Sequence, residues 1–148
     1  SDYDNITYTD TGIIEGYSDS LINYGDGILL GIGREHWSIA KVEIYVETDE
    51  GVKGVDEYKF QGDYSLVYKS YLVNRENNLF GFAIQNLLDY DTMKYTKNCY
   101  VLLTIEGESL NVRLIPLYFS DPNYVRAAYY DGYLYLTTDE DLFVEKIN

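Results

Sequence analysis

The sequence predicts an all-β protein made of a repeated antiparallel unit, and three observations carry that prediction. Turn-forming pairs recur between apolar runs at a near-constant interval. The runs alternate with the period of a strand. The aromatic content is dominated by tyrosine, with 18 Tyr against 5 Phe and 1 Trp. Tyrosine suits half-buried pleated surface, because its ring packs while its hydroxyl reaches water or a partner. Proline is confined to Pro116 and Pro122, and alanine is scarce, which favours strands over helices.

Asp26-Gly27 joins SLINYG to ILLGIG, Asn77-Asn78 joins VYKSYLVN to LFGFAIQ, and Asp131-Gly132 joins YVRAAYY to YLYLTT. Asp-Gly and Asn-rich pairs supply the positive φ angles of tight hairpins. Their second members, Gly27, Asn78 and Gly132, stand 51 and 54 residues apart, a period that propeller-type repeats show. A second hairpin follows in the first two repeats: IAKVEIYVET and VKGVDEYKF flank Asp49-Glu50-Gly51, and CYVLLTI and LNVRLIPLYF flank Glu106-Gly107-Glu108.

In KVEIYVE, Val42, Ile44 and Val46 alternate with Lys41, Glu43, Tyr45 and Glu47, which predicts a strand with one wet face. ILLGIG and YLYL are apolar on both faces, which predicts strands inside a stack of sheets, with Gly31 and Gly33 permitting close backbone approach. The unit is therefore four antiparallel strands in about fifty residues, and it buries both faces only by stacking on its neighbours.

The fold expected is a β-propeller fragment of about three four-stranded antiparallel blades, with a β-sandwich as the alternative. The chain reads as one domain, with blade-like units at 16–62, 63–121 and 122–148 and an extra strand segment over 1–15, around NITYT and GIIEG. The third unit supplies only three strands. Because propellers carry roughly four to eight blades, three make an open fragment, or half of a ring closed by a second copy through exposed blade edges.

Charge and cysteine bound the function. Acidic residues outnumber basic ones 25 to 11, for a formal charge of −14. Such a surface repels phosphate backbones and anionic membranes, which argues against nucleic acid as a partner. No apolar run reaches the ~20 residues of a helical membrane span. The single cysteine, Cys99, has no internal partner and reads as a small buried hydrophobe.

The order GYSDSL, LLGIGRE, VRAAYYDGYLYLTTDEDL resembles the C-terminal part of the bacterial secreted β-propeller domain family, distant relatives of WD-repeat proteins. The resemblance runs from Glu15 to Asn148, and its most specific pieces are Leu29 to Glu35 and Arg126 to Thr138. Three positions depart from the family pattern: Glu15 stands for a proline, and Ile22 and Tyr68 stand for histidines. The resemblance implies a larger propeller in an exported, surface-anchored or secreted bacterial protein, and no established activity.

Candidate sites are few. Arg34, Glu35, His36 and Trp37, in the loop expected between ILLGIG and IAKVEIYV, read as a recognition patch, since Trp and Arg are common anchors. His36 is the only histidine, and no nucleophile or orienting-acid motif accompanies it. The longest connection, Asn86 to Asn98, offers Tyr90 and Met93 to a partner, folds back over a blade edge, or forms a short helix. Carboxylates gather at Asp139, Glu140 and Asp141, and at Asp89 with Asp91. TTDEDL lacks the spacing of a calcium loop and reads as a solvated turn with its charges outward, so no cofactor is expected, with Ca²⁺ as the alternative. Asn5-Ile-Thr7 matches a glycosylation acceptor. GDGILL and GIGREH lack the third glycine and the helix of a dinucleotide fingerprint. The expectation is a non-catalytic binding or scaffolding module for a protein or glycan ligand. The alternative is an extracellular hydrolase of glycans or peptides that uses paired carboxylates.

Overall fold

The strands alternate as their residues require and fold into three successive antiparallel sheets. The structure is a computed structural model that describes residues 17–36, 39–61, 65–85, 88–89, 92–95 and 98–147. The extra strand segment expected over 1–15 lies outside them.

The first sheet is a meander of β1 (Tyr17–Gly25), β2 (Ile28–His36), β3 (Ile39–Thr48) and β4 (Gly51–Gln61). The second joins β5 (Ser65–Asn74), β6 (Leu79–Gln85), β9 (Cys99–Glu106) and β10 (Ser109–Pro116), with a two-stranded hairpin of β7 (Leu88–Asp89) and β8 (Lys94–Tyr95) inserted between β6 and β9. The third holds β11 (Arg126–Tyr130), β12 (Tyr133–Thr137) and β13 (Leu142–Lys146), after a single 3-10 turn at Pro122–Tyr124. The three-strand count expected for the last unit therefore stands among the described residues. None of the sheets closes into a barrel.

The sheets stack in chain order, with the second in the middle. One core joins Leu30, Ile32, Val42, Ile44 and Phe60 of the first sheet to Phe80, Phe82, Ile84, Val101 and Leu103 of the second. The other joins the opposite side of the second sheet, through Leu79, Ala83, Tyr100, Leu102 and Ile115, to Leu134 and Leu136 of the third. A sheet apolar on both faces is stable only when both are covered. β6 meets that condition, with every residue from Leu79 to Ile84 buried.

The repeat is legible in the hairpins. Asp26 and Gly27 have φ 51 and 75, and Asp131 and Gly132 have φ 49 and 82. These are the paired positive angles of a two-residue turn matched to strand twist. The middle turn differs from expectation. Asn74 pairs with Leu79, so the loop has four residues, 75–78, closed by a bond from Asn78 N to Arg75 O at 3.1 Å. Asn77-Asn78 are its last two residues, and only Asn78 has positive φ.

At each of the three positions the turn also holds the third strand. Gly27 O accepts from Glu47 N at 2.9 Å and Gly132 O accepts from Ile147 N at 2.8 Å. In the second sheet the Asn78 side chain takes this part, accepting from Ile105 N at 3.0 Å and donating to Ile105 O at 2.7 Å.

The strand β5 contains the largest irregularity. Val67 pairs with Ala83 and Leu72 with Gly81, so residues 68–71 stand against Phe82 alone. Ser70 fills the gap in the ladder, its Oγ donating to Val67 O and accepting from Ala83 N at 2.6 Å. The Tyr100 hydroxyl donates to Ser70 O at 3.0 Å. Its ring passes over Gly81, where a Cβ would meet Tyr100 Cε1 at 2.5 Å. Buried backbone groups left open by a bulge must find such partners.

Two strand expectations need correction. The side of β3 expected to be wet is largely dry: Lys41 and Tyr45 are each only 4% exposed. Glu43 makes this tolerable, because its Oε2 accepts from Lys41 Nζ at 2.6 Å and from Tyr45 Oη at 2.7 Å. Buried charge survives where it is paired and hydrogen-bonded. Conversely β12, expected to be buried on both faces, is buried only through Leu134 and Leu136. Its tyrosine side is open.

Candidate functional site

The open side of the third sheet is the most distinctive surface among the described residues. Alternation along β11, β12 and β13 sends Ala127, Tyr129, Leu134, Leu136 and Phe143 toward the second sheet. The intervening residues therefore point outward. Cross-strand register arranges these outward residues in three rungs. At the end near the Asp131-Gly132 turn stand Tyr130, Tyr133 and Lys146; in the middle, Ala128, Tyr135 and Val144; at the far end, Arg126, Thr137 and Leu142. Tyr130 is 74% exposed and Leu142 58%; Val144 and Tyr133 are exposed as well.

No rung contains a carboxylate, in a chain with 25 of them. Acids flank the face instead, with Asp131 in one turn and Asp139, Glu140 and Asp141 in the other. The face therefore combines aromatic area, a cation at two opposite corners and an acidic rim. Tyrosine and arginine enrichment with few central charges is the composition of recognition surfaces. The corresponding faces of the first and second sheets, read from the turn positions outward, carry Ile28, Leu30 and Ile32 and then Leu79, Gly81 and Ala83. Each of those faces is covered by the next sheet.

The residues singled out from sequence are differently placed. Arg34, Glu35 and His36 belong to β2 rather than to a loop, with a bulge at Glu35. Arg34 Nε lies 3.9 Å from Asp19 Oδ2, and Glu35 Oε2 lies 3.1 Å from Lys59 Nζ. Both are held by ion pairs on their own sheet. Trp37 and the side chain of His36 lie outside the described residues, as does Tyr90. Met93 tips the turn between β7 and β8, with φ 53 and 70% exposure. The segment 86–98 thus contains a small hairpin instead of a plain loop or helix. Nothing described brings Met93 together with Arg34 and Glu35.

The remaining chemistry-bearing groups are engaged in structure. Glu35 and Glu57 share Lys59, the latter at 2.9 Å, and these two hydrogen bonds raise the lysine's pKa. Asp139 accepts from Ser120 Oγ, from Ser120 N at 3.2 Å and from Asp121 N at 3.0 Å. Those bonds hold its carboxyl below the usual range, the Ser120 hydroxyl foremost. The charged turn is thereby tied to the 3-10 turn beside it, while Asp139, Glu140 and Asp141 stay exposed. Burial pushes the Cys99 thiol up to about 11, which suits the inert role its sequence context implied. Among the described residues no three His, Cys, Asp or Glu side chains converge as a metal site.

The tyrosines of the open face were countable in the sequence, and YLYL has the right period. What separates an open tyrosine side from a covered one is whether another sheet stacks on it, which no local pattern records. No family model matches the chain, and neither a curated protein nor a solved structure matches it.

Proposed function

We propose that the chain is a non-catalytic binding or scaffolding module, a propeller-like stack of blades from an exported bacterial protein, which recognises a protein or glycan partner through the open tyrosine face of its third sheet. The observation that carries this reading is the absence of any carboxylate from an exposed aromatic face in a chain of net charge −14. Binding there proceeds by desolvation of tyrosine rings and by hydroxyl hydrogen bonds, which need no nucleophile. The propeller and its exported setting are supported by the ordered segments GYSDSL, LLGIGRE and VRAAYYDGYLYLTTDEDL, and by the stacking of successive four-stranded sheets.

A hydrolase reading would need a carboxyl with its pKa raised as a general acid. Asp139 is shifted the other way, and Glu35 and Glu57 are both spent on one lysine.

The test is to probe printed polysaccharide and peptide arrays with the wild-type chain and with Tyr135→Glu, alongside fluorogenic glycoside and peptide substrates. Features retained by the wild type and lost with Tyr135→Glu, without turnover, are expected. Turnover of a substrate, or array binding indifferent to Tyr135, would overturn the reading.

A further inference from the structure

We infer that the open face of the third sheet docks a second copy of this chain about a two-fold axis running along β12; the inference rests on the reading of that face as a binding surface. Three features of the face are self-complementary under that one operation.

The axis lays β11 of one copy over β13 of the other, with ends matched. In the middle rung, small Ala128 then faces Val144 of the other copy, and Tyr135 faces its own counterpart. In the rung nearest the Asp131-Gly132 turn, Tyr130 faces Lys146, placing an ammonium against an exposed ring. At the far end, Arg126 lies beneath the opposite β12–β13 turn.

Charge completes the fit. The Asp131 turn joins β11 to β12, so the operation sets it over the opposite Lys146. The turn carrying exposed Glu140 and Asp141 joins β12 to β13 and comes over the opposite Arg126. The Arg126 guanidinium is held at that corner by Nη1 bonds to Asn123 O at 2.6 Å and Val125 O at 2.8 Å. Each basic corner thus meets an acidic turn, twice over, as a two-fold contact requires. Away from such matched corners, the net charge of −14 on each chain opposes association.

A closed ring, in which this face meets the far side of another copy's first sheet, is disfavoured. On that side Lys41 and Tyr45 are already buried. Three five-residue strands offer less than the roughly 800 Å² per partner of a standard interface, so the dimer is weak and concentration-dependent.

Sedimentation velocity on the full chain, from about 1 μM to about 1 mM to bracket a weak interface, tests this. The wild-type mass is expected to climb from 17.1 kDa toward twice that value. Lys146→Glu alone, and Asp131→Lys alone, should each weaken association about tenfold or more. An equimolar mixture of the two should restore it, since both corners then pair opposite charges. Asp131 has φ 49, so lysine there strains the turn. Should that variant unfold, loss of the dimer in Lys146→Glu carries the test. A wild-type mass that stays monomeric, or a mixture no better than its components, overturns the inference. If the chain is monomeric while Tyr135→Glu still abolishes array binding, the face is a binding surface with another occupant and this inference fails alone. If array binding is also unaffected, both readings fall.

Discussion

Gly81 and Tyr100 show how tightly single residues are bound to the central sheet. A methyl group at Gly81 would lie 2.5 Å from Tyr100 Cε1 and 2.8 Å from the Val101 carbonyl oxygen. Neither can retreat, because the tyrosine is fully buried and the oxygen belongs to a paired strand. Gly81→Ala should therefore cost about 1–3 kcal/mol, the usual penalty for overpacking, read as a lower midpoint in urea unfolding. Asp139 supplies a pH-dependent counterpart. A carboxyl whose folded-state pKa is depressed contributes stability above its unfolded value, here near 3.8. That contribution disappears as pH falls through the folded value. Asp139→Asn should thus lower Tm at neutral pH, and the gap from wild type should close in strong acid; a gap independent of pH would assign the loss to geometry alone.

At the scale of elements, each sheet is held by a turn that also reaches the third strand. Glycine carbonyls do this in the first and third sheets, and the Asn78 amide does it in the second. Replacing Asn78 with aspartate removes the donor to Ile105 O and sets a carboxylate against that carbonyl. Replacing it with glycine removes both bonds but keeps the positive φ at no cost. With each hydrogen bond worth about 0.5–1.5 kcal/mol, both variants are destabilised. Asn78→Asp should be the worse, and thermal denaturation of the pair will rank them. Asp56 of β4 makes a comparable link between sheets, its Oδ2 accepting from Leu110 N at 2.7 Å. Arg113 of β10 repeats the device by pairing with Glu145 of β13.

For the whole molecule, the second sheet carries the stack. Phe82 is fully buried where the first and second sheets meet, whereas Leu142 stands on the open face. Phe82→Ala is expected to cost about 3–5 kcal/mol, while Leu142→Ala should stay within about 0.5 kcal/mol. Chemical denaturation of both variants at one low protein concentration makes the comparison free of self-association. A large loss from Leu142→Ala would mean that its face is covered within the monomer.

By itself the sequence determined the all-β class, the two Asp-Gly turns, the four-stranded units and the three strands of the last one. Each of these follows from local rules: positive φ at Asp-Gly, period-two alternation, and the length of apolar runs. Tertiary structure alone decided which faces are covered. Lys41 and Tyr45 look solvent-facing in KVEIYVE and are buried around Glu43. Tyr133 and Tyr135 look interior in YLYL, yet they line the open face. Arg34 and Glu35 look like a free loop and are committed to Asp19 and Lys59. Alternation tells which side a residue takes, but whether that side meets water, another sheet or a partner depends on what stacks there, and that contact is non-local.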